Sequence, residues 1–347
     1  MLARLIFFTL IHGILSAYPA SLSVWSLGFC EYADVKPVER EFEGWMGFSD
    51  DRYLFDKHHY LREIKEGSIV WIKADWLYAF VAKVLPQLKH KIILVAGTSD
   101  ATFPDNYPEK EEIIEAINSP KILHLFLQNC NFSHPKVTQI PIGIDLHTSV
   151  YWPERYRSPT KMTPELQQRE LNQIIQHLKP TGERELKALC DFAFNDSMRN
   201  SYHRYLEWGE DRETIWEKIK PLGFAIHLKK MIPRSELWKL KGEYAFDISP
   251  PGNGIDCHRT WESLTLGCIV IVKDSFLNPL YEGLPVVIVK SWEEITEANL
   301  IRWRNQYKDA LTNPNYRKKL LLSYWMDKIR SVQRSYLKTI GAHLKQI

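Results

Sequence analysis

The stretch from Tyr244 to Lys273 limits the possible folds of this 347-residue chain more than any other part. Its first segment, Tyr244 to Ile248, alternates and is rich in β-forming residues, which predicts a strand that the two following prolines end. The next residues are Gly252, Asn253 and Gly254. Because glycine adopts positive φ and lets a ligand approach the backbone, they predict a tight turn that opens a ligand site.

A short helix and a second strand follow this turn. Asp256 is suited to cap the helix, Gly267 closes it, and the apolar run Cys268 to Val272 predicts the strand. The whole stretch is therefore a compact βαβ unit. In such a unit the free N–H groups and the positive dipole end of the helix lie just beyond the carboxyl end of the first strand, and we expect an anion there.

Three polar side chains lie near the start of this helix. His258 and Arg259 are in its first turn, and Glu262 lies close enough along the chain to share one helix edge with both. Arginine suits a phosphate, and glutamate suits a sugar diol. No Lys-Ser/Thr follows the glycine and the GxGxxG spacing is absent, so the pattern favours a nucleotide-sugar. The alternative is a plain tight turn with a surface ion pair between Arg259 and Glu262.

The residues SPPGNGIDCHRTWESLTLGCIVIV resemble the donor-binding signature of exostosin-like glycosyltransferases, which is roughly Pro-x-Gly-Asn-Gly-x-Asp-x-x-Arg-x-Trp-Glu-x-Leu-x-x-Gly-Cys. The segments WIKADWL, ILVAGTSDATFPD and QNCNFSHPKVTQIPIGIDLHT are similar to the acceptor-side half of the same family. The resemblance covers roughly residues 68 to 295 and leaves both ends of the chain without a motif.

Strands and helices alternate along both halves of the chain, which predicts parallel sheets with helices on both faces. The predicted strands in the first half are Ser23 to Phe29, Ser68 to Lys73, Lys91 to Ala96, Ile122 to Leu127 and Val137 to Ile142. Those in the second half are Ala188 to Phe194, Phe224 to Leu228, Tyr244 to Ile248, Cys268 to Val272 and Leu284 to Val289. The fold class is thus α/β with two doubly wound domains, and the resemblance implies the two-Rossmann-like architecture known as GT-B.

Changes in composition divide the chain into four parts. Residues 1–20 form a leader, residues 21–155 an acceptor-side domain and residues 156–315 a nucleotide-sugar-binding domain, while residues 316–347 form a helical, basic tail. The second domain begins in a stretch that is rich in proline and charged residues, which is typical of a linker.

The resemblance implies a donor site in the second domain. Glu262 would hold the ribose hydroxyls, while Arg259 and the turn backbone would neutralise the diphosphate, with a further arginine at a second strand end. The donor-binding candidates are Arg199, Gly252, Asn253, Gly254, Asp256, Arg259 and Glu262. Because fixed positive groups can stabilise the leaving group and the chain contains no Asp-x-Asp, we expect no cofactor and no essential metal.

A base from the first domain would remove the acceptor proton in an inverting transfer. Asp100 and Asp145 follow buried strands at the edge of the expected cleft and are the candidates, with His147 and Asp75 in reserve. Each of them alone has an ordinary alternative as a turn-capping or structural residue. Sequence does not fix the stereochemistry, so a retaining transfer stays open.

The N-terminal residues bear on the cellular location of the protein. Arg4 precedes the apolar run Leu5 to Leu15, and small residues up to Ala17 suit cleavage, which predicts a signal peptide or signal anchor; a buried first strand or helix is the alternative. We therefore expect the Golgi or endoplasmic reticulum lumen, with membrane association through the N-terminus, or else the cytosol or a cytosol-facing membrane. The sequons at Asn131 and Asn195 matter only in the lumen.

The net charge and the cysteine spacing bear on three features: nucleic-acid binding, zinc sites and disulfide bonds. A formal net charge of +3 without basic blocks does not point to nucleic acid, and the five cysteines show no spacing typical of zinc sites or disulfide frameworks. In a lumenal protein one pair could still be bridged. The resemblance, together with the anion-binding turn, implies a glycosyltransferase that moves a sugar from a nucleoside diphosphate, in particular UDP, to a glycan or glycoprotein. The alternative is a non-catalytic carbohydrate- or nucleotide-binding protein with the same fold.

Overall fold

A computed structural model of the chain describes residues 22–38, 55–156, 161–192, 212–228, 230–312 and 315–343. The leader, Arg199, Asn195 and most of the helix predicted from Met198 lie outside these residues. Among the described residues, no helix is both long and apolar enough to cross a membrane.

The first domain contains a four-stranded parallel sheet in the order β1-β2-β3-β4. Its strands are β1 (Ile69–Lys73), β2 (Ile92–Gly97), β3 (Ile122–Gln128) and β4 (Val137–Ile140). β1 and β2 are buried along their whole length, which explains why they are continuous apolar runs in the sequence.

The second domain contains a five-stranded parallel sheet in the order β6-β5-β7-β8-β9. Its strands are β5 (Glu185–Cys190), β6 (Ala225–His227), β7 (Tyr244–Ile248), β8 (Ile269–Lys273) and β9 (Val286–Val289). Two parallel α/β domains of this kind constitute the predicted GT-B architecture, with the glycine-rich turn directly after the central strand β7.

Helices cover both sheets. In the first half of the chain they are α1 (Ser26–Glu31), α2 (Lys57–Glu63), α3 (Leu77–Lys83), α4 (Lys110–Ile117), α5 (Thr148–Tyr151) and α6 (Pro164–Gln176). In the second half they are α7 (Arg212–Ile219), α8 (Arg234–Lys241), α9 (His258–Thr265), α10 (Asn278–Tyr281), α11 (Glu297–Thr312), α12 (Asn315–Lys318) and α13 (Leu322–His343). Single 3₁₀ turns occur at Ala74–Trp76, Leu85–Gln87, Pro153–Tyr156, Thr181–Glu183 and Trp292–Glu294.

One apolar core runs through both domains. It contains side chains of the first sheet such as Trp71, side chains of α9 such as Trp261, and side chains of α13 such as Trp325. The basic tail is therefore not a separate segment, because α13 packs on the first sheet. Arg330 of α13 also donates 2.7 Å to Asp34 of the first domain, which fixes the end of the chain to its beginning.

The predicted strand Ser23 to Phe29 is wrong. Ser23 and Trp25 make only single bridges, to Leu321 and Gly143, and the chain then forms α1, whose first five residues are buried. A short apolar run that is buried on every side has no periodicity that separates helix from strand, so packing decided its conformation.

Candidate functional site

The carboxyl ends of the two parallel sheets face each other across the domain boundary, and the glycine-rich turn after β7 lies between them. A Cβ built on Gly254 would stand 3.1 Å from Asp100 Cα, 3.2 Å from Asp100 O and 3.0 Å from Asn129 Nδ2. Asp100 follows β2 and Asn129 follows β3. Gly254 is therefore required by the close contact between the two domains, whatever ligand the turn also meets.

Asp256 joins the domains beside this turn. Its Oδ2 accepts 2.7 Å from the backbone N–H of Ile142, which lies just after β4, and its Oδ1 accepts 2.8 Å from the indole N–H of Trp261. Its own backbone N–H donates 3.1 Å to Asn129 Oδ1. Burial raises the pKa of Asp256 to about 6, although these N–H donors act in the opposite direction.

The predicted helix cap at Asp256 is therefore wrong. The residue at the N-terminal boundary of α9 is Cys257, and its side chain makes no capping hydrogen bond. Asp256 instead uses its carboxylate across the domain boundary, because a carboxylate with two N–H partners far apart in sequence is better satisfied than one in a solvent-facing turn. It remains among the predicted donor-binding residues, but its two oxygens already have partners.

Asp145 and His147 follow β4 and lie opposite His258, the first residue of α9. Asp145 is 4% exposed and accepts 2.9 Å from the backbone N–H of Thr148 and 2.6 Å from its hydroxyl, so it is bonded to the first residue of α5. His147 Nδ1 lies 3.1 Å from Asp145 Oδ1. The rings of His147 and His258 have centroids 5.4 Å apart, and His258 Nδ1 lies 2.8 Å from the carbonyl oxygen of Gly143.

Asp145 and His147 do not form an ion pair at neutral pH, because only Asp145 is charged there. Burial lowers the pKa of His147 to about 4, against the attraction of the Asp145 carboxylate. Burial also acts to raise the pKa of Asp145, but the neighbouring histidines, Arg234 and the Thr148 hydroxyl hold it below its ordinary range. At neutral pH the site thus contains a carboxylate beside a neutral imidazole, which is an arrangement that can accept a proton.

Glu262 forms a buried ion pair with Arg234 on the same side of the boundary. Arg234 Nη2 donates 2.6 Å to Glu262 Oε1, and Nη1 donates 2.7 Å to Gln167 Oε1. The side chains of Glu262 and Arg234 are only 9% and 7% exposed. One oxygen of Glu262 is thus already engaged, so a ribose would have to use the other oxygen or displace the guanidinium.

Arg259 and Arg212 both contact the backbone at the glycine-rich turn. Arg259 Nη2 donates 2.5 Å to Pro250 O and Nε donates 3.1 Å to Ser249 Oγ. Arg212 Nε donates 2.9 Å to Pro251 O, and its Nη2 lies 3.0 Å from the position of a Cβ on Gly252. Both guanidiniums therefore bind the backbone of the turn and place positive charge around it.

A buried network beneath the turn fixes Arg259. Lys241 is fully buried and its Nζ lies 2.7 Å from Asp247 and 2.9 Å from Asp191, and Asp191 lies 3.5 Å from Arg259 Nε. Burial acts to lower the pKa of Lys241, but the two carboxylates raise it above its ordinary value, so Lys241 stays charged. The network orients Asp191 and, through it, Arg259.

The structure brings most predicted residues to one boundary. Gly252, Asn253, Gly254, Asp256, Arg259 and Glu262 lie in or between the turn and α9, where Gly254 lies against Asp100 and Asp256 bonds to Ile142 of the other domain. Asp145 of the other domain lies near His258 of the same helix. Asp100 is exposed next to the turn, and Asp75, a reserve candidate, accepts 3.0 Å from Ser99 Oγ in the same region. Arg199 lies outside the described residues.

The sequence did not identify Asn129, Arg212 or Arg234 as site residues. Asn129 has a φ of 49°, which is unusual for a residue other than glycine and places its amide between the two domains, donating 2.9 Å to Ser99 O. Its position directly after a predicted strand was the available signal. Arg212 and Arg234 begin helices, and no local pattern separates them from surface arginines.

Asp145, His147 and His258 could also hold a metal ion, since one ligand atom from each lies within 4.8 Å of the others. The positive charge of Arg234 acts on both Asp145 and His147 and opposes a cation there. All five cysteines are free thiols in this structure, and four of them are buried.

No protein-family model matches the sequence, and no curated protein matches it. Several solved structures are similar in outline. One is an α,α-trehalose 6-phosphate synthase from Burkholderia multivorans, at 13% identity and a TM-score of 0.46, covering 92% of this chain and 80% of that chain. Another is a UDP-forming α,α-trehalose-phosphate synthase from Burkholderia xenovorans, at 13% identity and a TM-score of 0.43, covering 91% of this chain and 83% of that one. Similarity at this level carries no argument about substrate or site.

Proposed function

We propose that this chain is an exostosin-like glycosyltransferase that transfers a sugar from a UDP-sugar to a hydroxyl of a glycan or glycoprotein. One observation carries the proposal. His258, the first residue of α9, lies against the Asp145–His147 pair of the other domain, and Gly254 of the glycine-rich turn lies against Asp100. An anion-binding helix start opposite a proton acceptor, at the carboxyl ends of two parallel sheets, is what transfer from a nucleotide-sugar requires.

The donor would bind mainly to the second domain. The diphosphate would lie against the turn backbone, where Arg259 and Arg212 supply positive charge, and Glu262 would accept hydrogen bonds from the ribose hydroxyls. Because these cations are held by backbone carbonyls and by Asp191, they would need little rearrangement as charge develops on the leaving group.

The chemistry would proceed with inversion. The acceptor oxygen forms a bond to the anomeric carbon while the bond from that carbon to the diphosphate oxygen breaks, and the electron pair leaves with UDP. His147 takes the acceptor proton, and the Asp145 carboxylate, 3.1 Å from Nδ1, stabilises the imidazolium that results. Asp100, exposed beside Gly254, is the second candidate for the base.

The proposal includes no cofactor and no essential metal. Fixed guanidiniums can take over the stabilisation of the leaving diphosphate, and Arg234 disfavours a cation at the Asp145, His147 and His258 group. The chain is proposed to act in the Golgi or endoplasmic reticulum lumen; the cytosol or a cytosol-facing membrane is the alternative.

The deciding experiment compares binding with turnover. The purified chain is screened with a panel of UDP-sugars for UDP release and product formation, and its thermal stability is measured with UDP alone. We expect UDP to raise the unfolding temperature and at least one donor to turn over. Stabilisation by UDP without turnover of any donor would support the non-catalytic binding protein instead.

A variant pair then tests the base. His147→Ala should lower kcat by about 10²–10⁴-fold, the usual contribution of a general base, while UDP binding is retained. His177→Ala is the control, because His177 is exposed and contacts only the backbone of its own helix. If His147→Ala keeps wild-type kcat, the same measurement on Asp100→Asn decides whether the second candidate is the base.

A further inference from the structure

A cavity lies at the opposite end of α9 from the proposed donor site. It has a volume of about 500 Å³ and is bounded by the end of α6, the turn Thr181–Glu183, Gly267 and the last turns of α11. Its size is that of a small-molecule site. The residues His258 and Arg259 lie at the start of α9, whereas Gly267 follows its end, so the cavity is separate from the donor site.

Positive charge dominates the lining of this cavity. The single acid is Glu183, and the cations are Lys179, Arg184, Arg304, Lys308 and Arg317. Lys179 has an ion pair with Glu243 at 3.7 Å, but within the described part of the chain none of the other four cations forms one. Unpaired like charges around one cavity repel each other, and a bound anion removes that repulsion.

Gly267 lets two of these guanidiniums converge. With a φ of +84°, it presents no side chain to the cavity, and the position that a Cβ would take is 3.3 Å from Arg184 Nη2 and 3.8 Å from Arg317 Nη2. Tyr316 lies beside the same charges. Burial raises the pKa of its phenol, while the charges of Arg317 and Arg184 act in the opposite direction.

The carbonyl groups at the end of α9 would repel an anion, but they are already covered. Leu266 O accepts 2.8 Å from Arg184 Nη2, and Gly267 O accepts 2.6 Å from the Thr181 hydroxyl. The negative end of the helix therefore faces protein donors rather than the cavity. The electrostatic potential inside the cavity is then set mainly by the cations that line it.

The cavity is also partly apolar. Ile175, Leu178, Leu266 and Leu311 contribute to its walls. A site with apolar walls and a few cations suits a molecule that has an uncharged, flat or apolar body and a phosphate group. Inorganic phosphate alone would leave the apolar part of the site unused.

We propose that this cavity binds a small organic phosphate of nucleotide size, with its phosphates at Arg304, Lys308 and Arg317 and its body against the leucines. The site is independent of the donor site and of the transfer reaction proposed above. Helix α9 runs between the cavity and the proposed donor site, and the proposal concerns only the binding of a ligand in the cavity.

The test is isothermal titration calorimetry of the full chain with ADP and with inorganic pyrophosphate, both in the presence of saturating UDP. We expect ADP to bind, and to bind at least fivefold more tightly than pyrophosphate. Arg304→Glu/Lys308→Glu should weaken ADP binding by at least tenfold and leave the UDP-induced rise in unfolding temperature unchanged. Both residues are at least partly exposed, so this variant should fold.

The matched control is Arg302→Glu/Lys290→Glu, which makes the same change in net charge at exposed residues that do not line the cavity. It should bind ADP within twofold of the wild type. The proposal is overturned if ADP does not bind, if pyrophosphate binds as tightly as ADP, or if the two double variants lose affinity equally, since that last result would indicate a general effect of charge.

Discussion

Asp256, in the second domain, accepts a 2.7 Å hydrogen bond from the backbone N–H of Ile142, in the first domain, 114 residues earlier. The same carboxylate accepts from Trp261 at 2.8 Å, so it connects the strand end after β4 to the body of α9. Helix α9 is thus positioned by the first domain as well as by its own sheet, and the glycine-rich turn is pressed against Asp100.

This contact predicts a specific dependence of stability on pH. The pKa of Asp256 is about 6 in the folded chain and 3.8 at its ordinary value. Between these values the folded state binds more protons than the unfolded state, so the contribution of Asp256 to stability is present below pH 4 and is lost as the pH rises through 6. The loss amounts to about 3 kcal/mol.

Asp256→Asn should remove that loss. We expect the difference in free energy of unfolding between wild type and variant to change by about 3 kcal/mol from pH 4 to pH 7, in favour of the variant at pH 7, in urea titrations. Asp247, whose pKa burial also raises to about 6, is present in both proteins and cancels. Asp309→Asn, at an exposed position, is the control; a parallel pH dependence of wild type and Asp256→Asn would refute the prediction.

Gly254→Ala tests the close approach of the domains. The added Cβ would lie 3.0 to 3.2 Å from atoms of Asn129 and Asp100, two of them backbone atoms that cannot rotate away. We expect a loss of about 1–3 kcal/mol in the free energy of unfolding, the usual effect of overpacking. Gly223→Ala, which meets no atom within 4 Å, should cost much less. Equal effects at the two glycines would show that the domains do not press on the turn.

Glu262 should matter for nucleotide binding. Glu262→Gln keeps the shape of the side chain but removes its charge, and we expect UDP binding to weaken by about 1.5–3 kcal/mol with the fold retained. Calorimetric titration with UDP measures this directly. Unchanged UDP affinity in a folded Glu262→Gln protein would remove Glu262 from the donor site.

The partner of Glu262 should matter for folding. Arg234→Met leaves the carboxylate buried and without its guanidinium, so we expect a loss of about 3–5 kcal/mol in stability. The double variant Arg234→Met/Glu262→Leu should recover part of that loss, because no uncompensated charge remains. Urea titrations of the three proteins decide: a double variant no more stable than Arg234→Met would mean that the buried charge is not the cause.

Arg259→Ala should depress turnover more than it weakens the binding of UDP, because its charge matters most as the diphosphate leaves. EDTA should have little effect on the rate of the wild-type enzyme. Steady-state kinetics with and without chelator test both statements. Loss of activity in EDTA that Mn²⁺ restores would show that a metal is required, and the Asp145, His147 and His258 group would then be its first candidate site.

The leader prediction is tested by expression in a eukaryotic cell. In a chain that enters the secretory lumen, the leader should be cleaved off near Ala17. Such a chain should also carry a glycan at Asn131, which follows β3 and is exposed. Glycosidase treatment followed by intact-mass measurement gives both results. An unglycosylated chain that keeps its first residues would place the protein in the cytosol or on a cytosol-facing membrane.

The sequence by itself determined the parts of the fold that depend on local pattern. Each of the nine strands in the described residues overlaps a segment predicted as a strand, although β5 begins three residues before the predicted start at Ala188. The turn after β7 lies where two prolines and two glycines require it. Ser291 and Glu294 form a capping box at the 3₁₀ turn Trp292–Glu294, a pattern that the sequence also shows. These features follow from burial periodicity and backbone preferences over a few residues, which a sequence displays directly.

Only the tertiary structure decided which partners the polar side chains have. Asp256 suits a helix cap by its position in the sequence, yet it bonds to Ile142, and Glu262 bonds to Arg234, 28 residues away. The segment Ser26–Glu31 is a helix rather than a strand and packs against the first sheet and α13, which comes from the other end of the chain. A carboxylate or an apolar run has several equally good local solutions, so the choice among them depends on groups that only folding brings near.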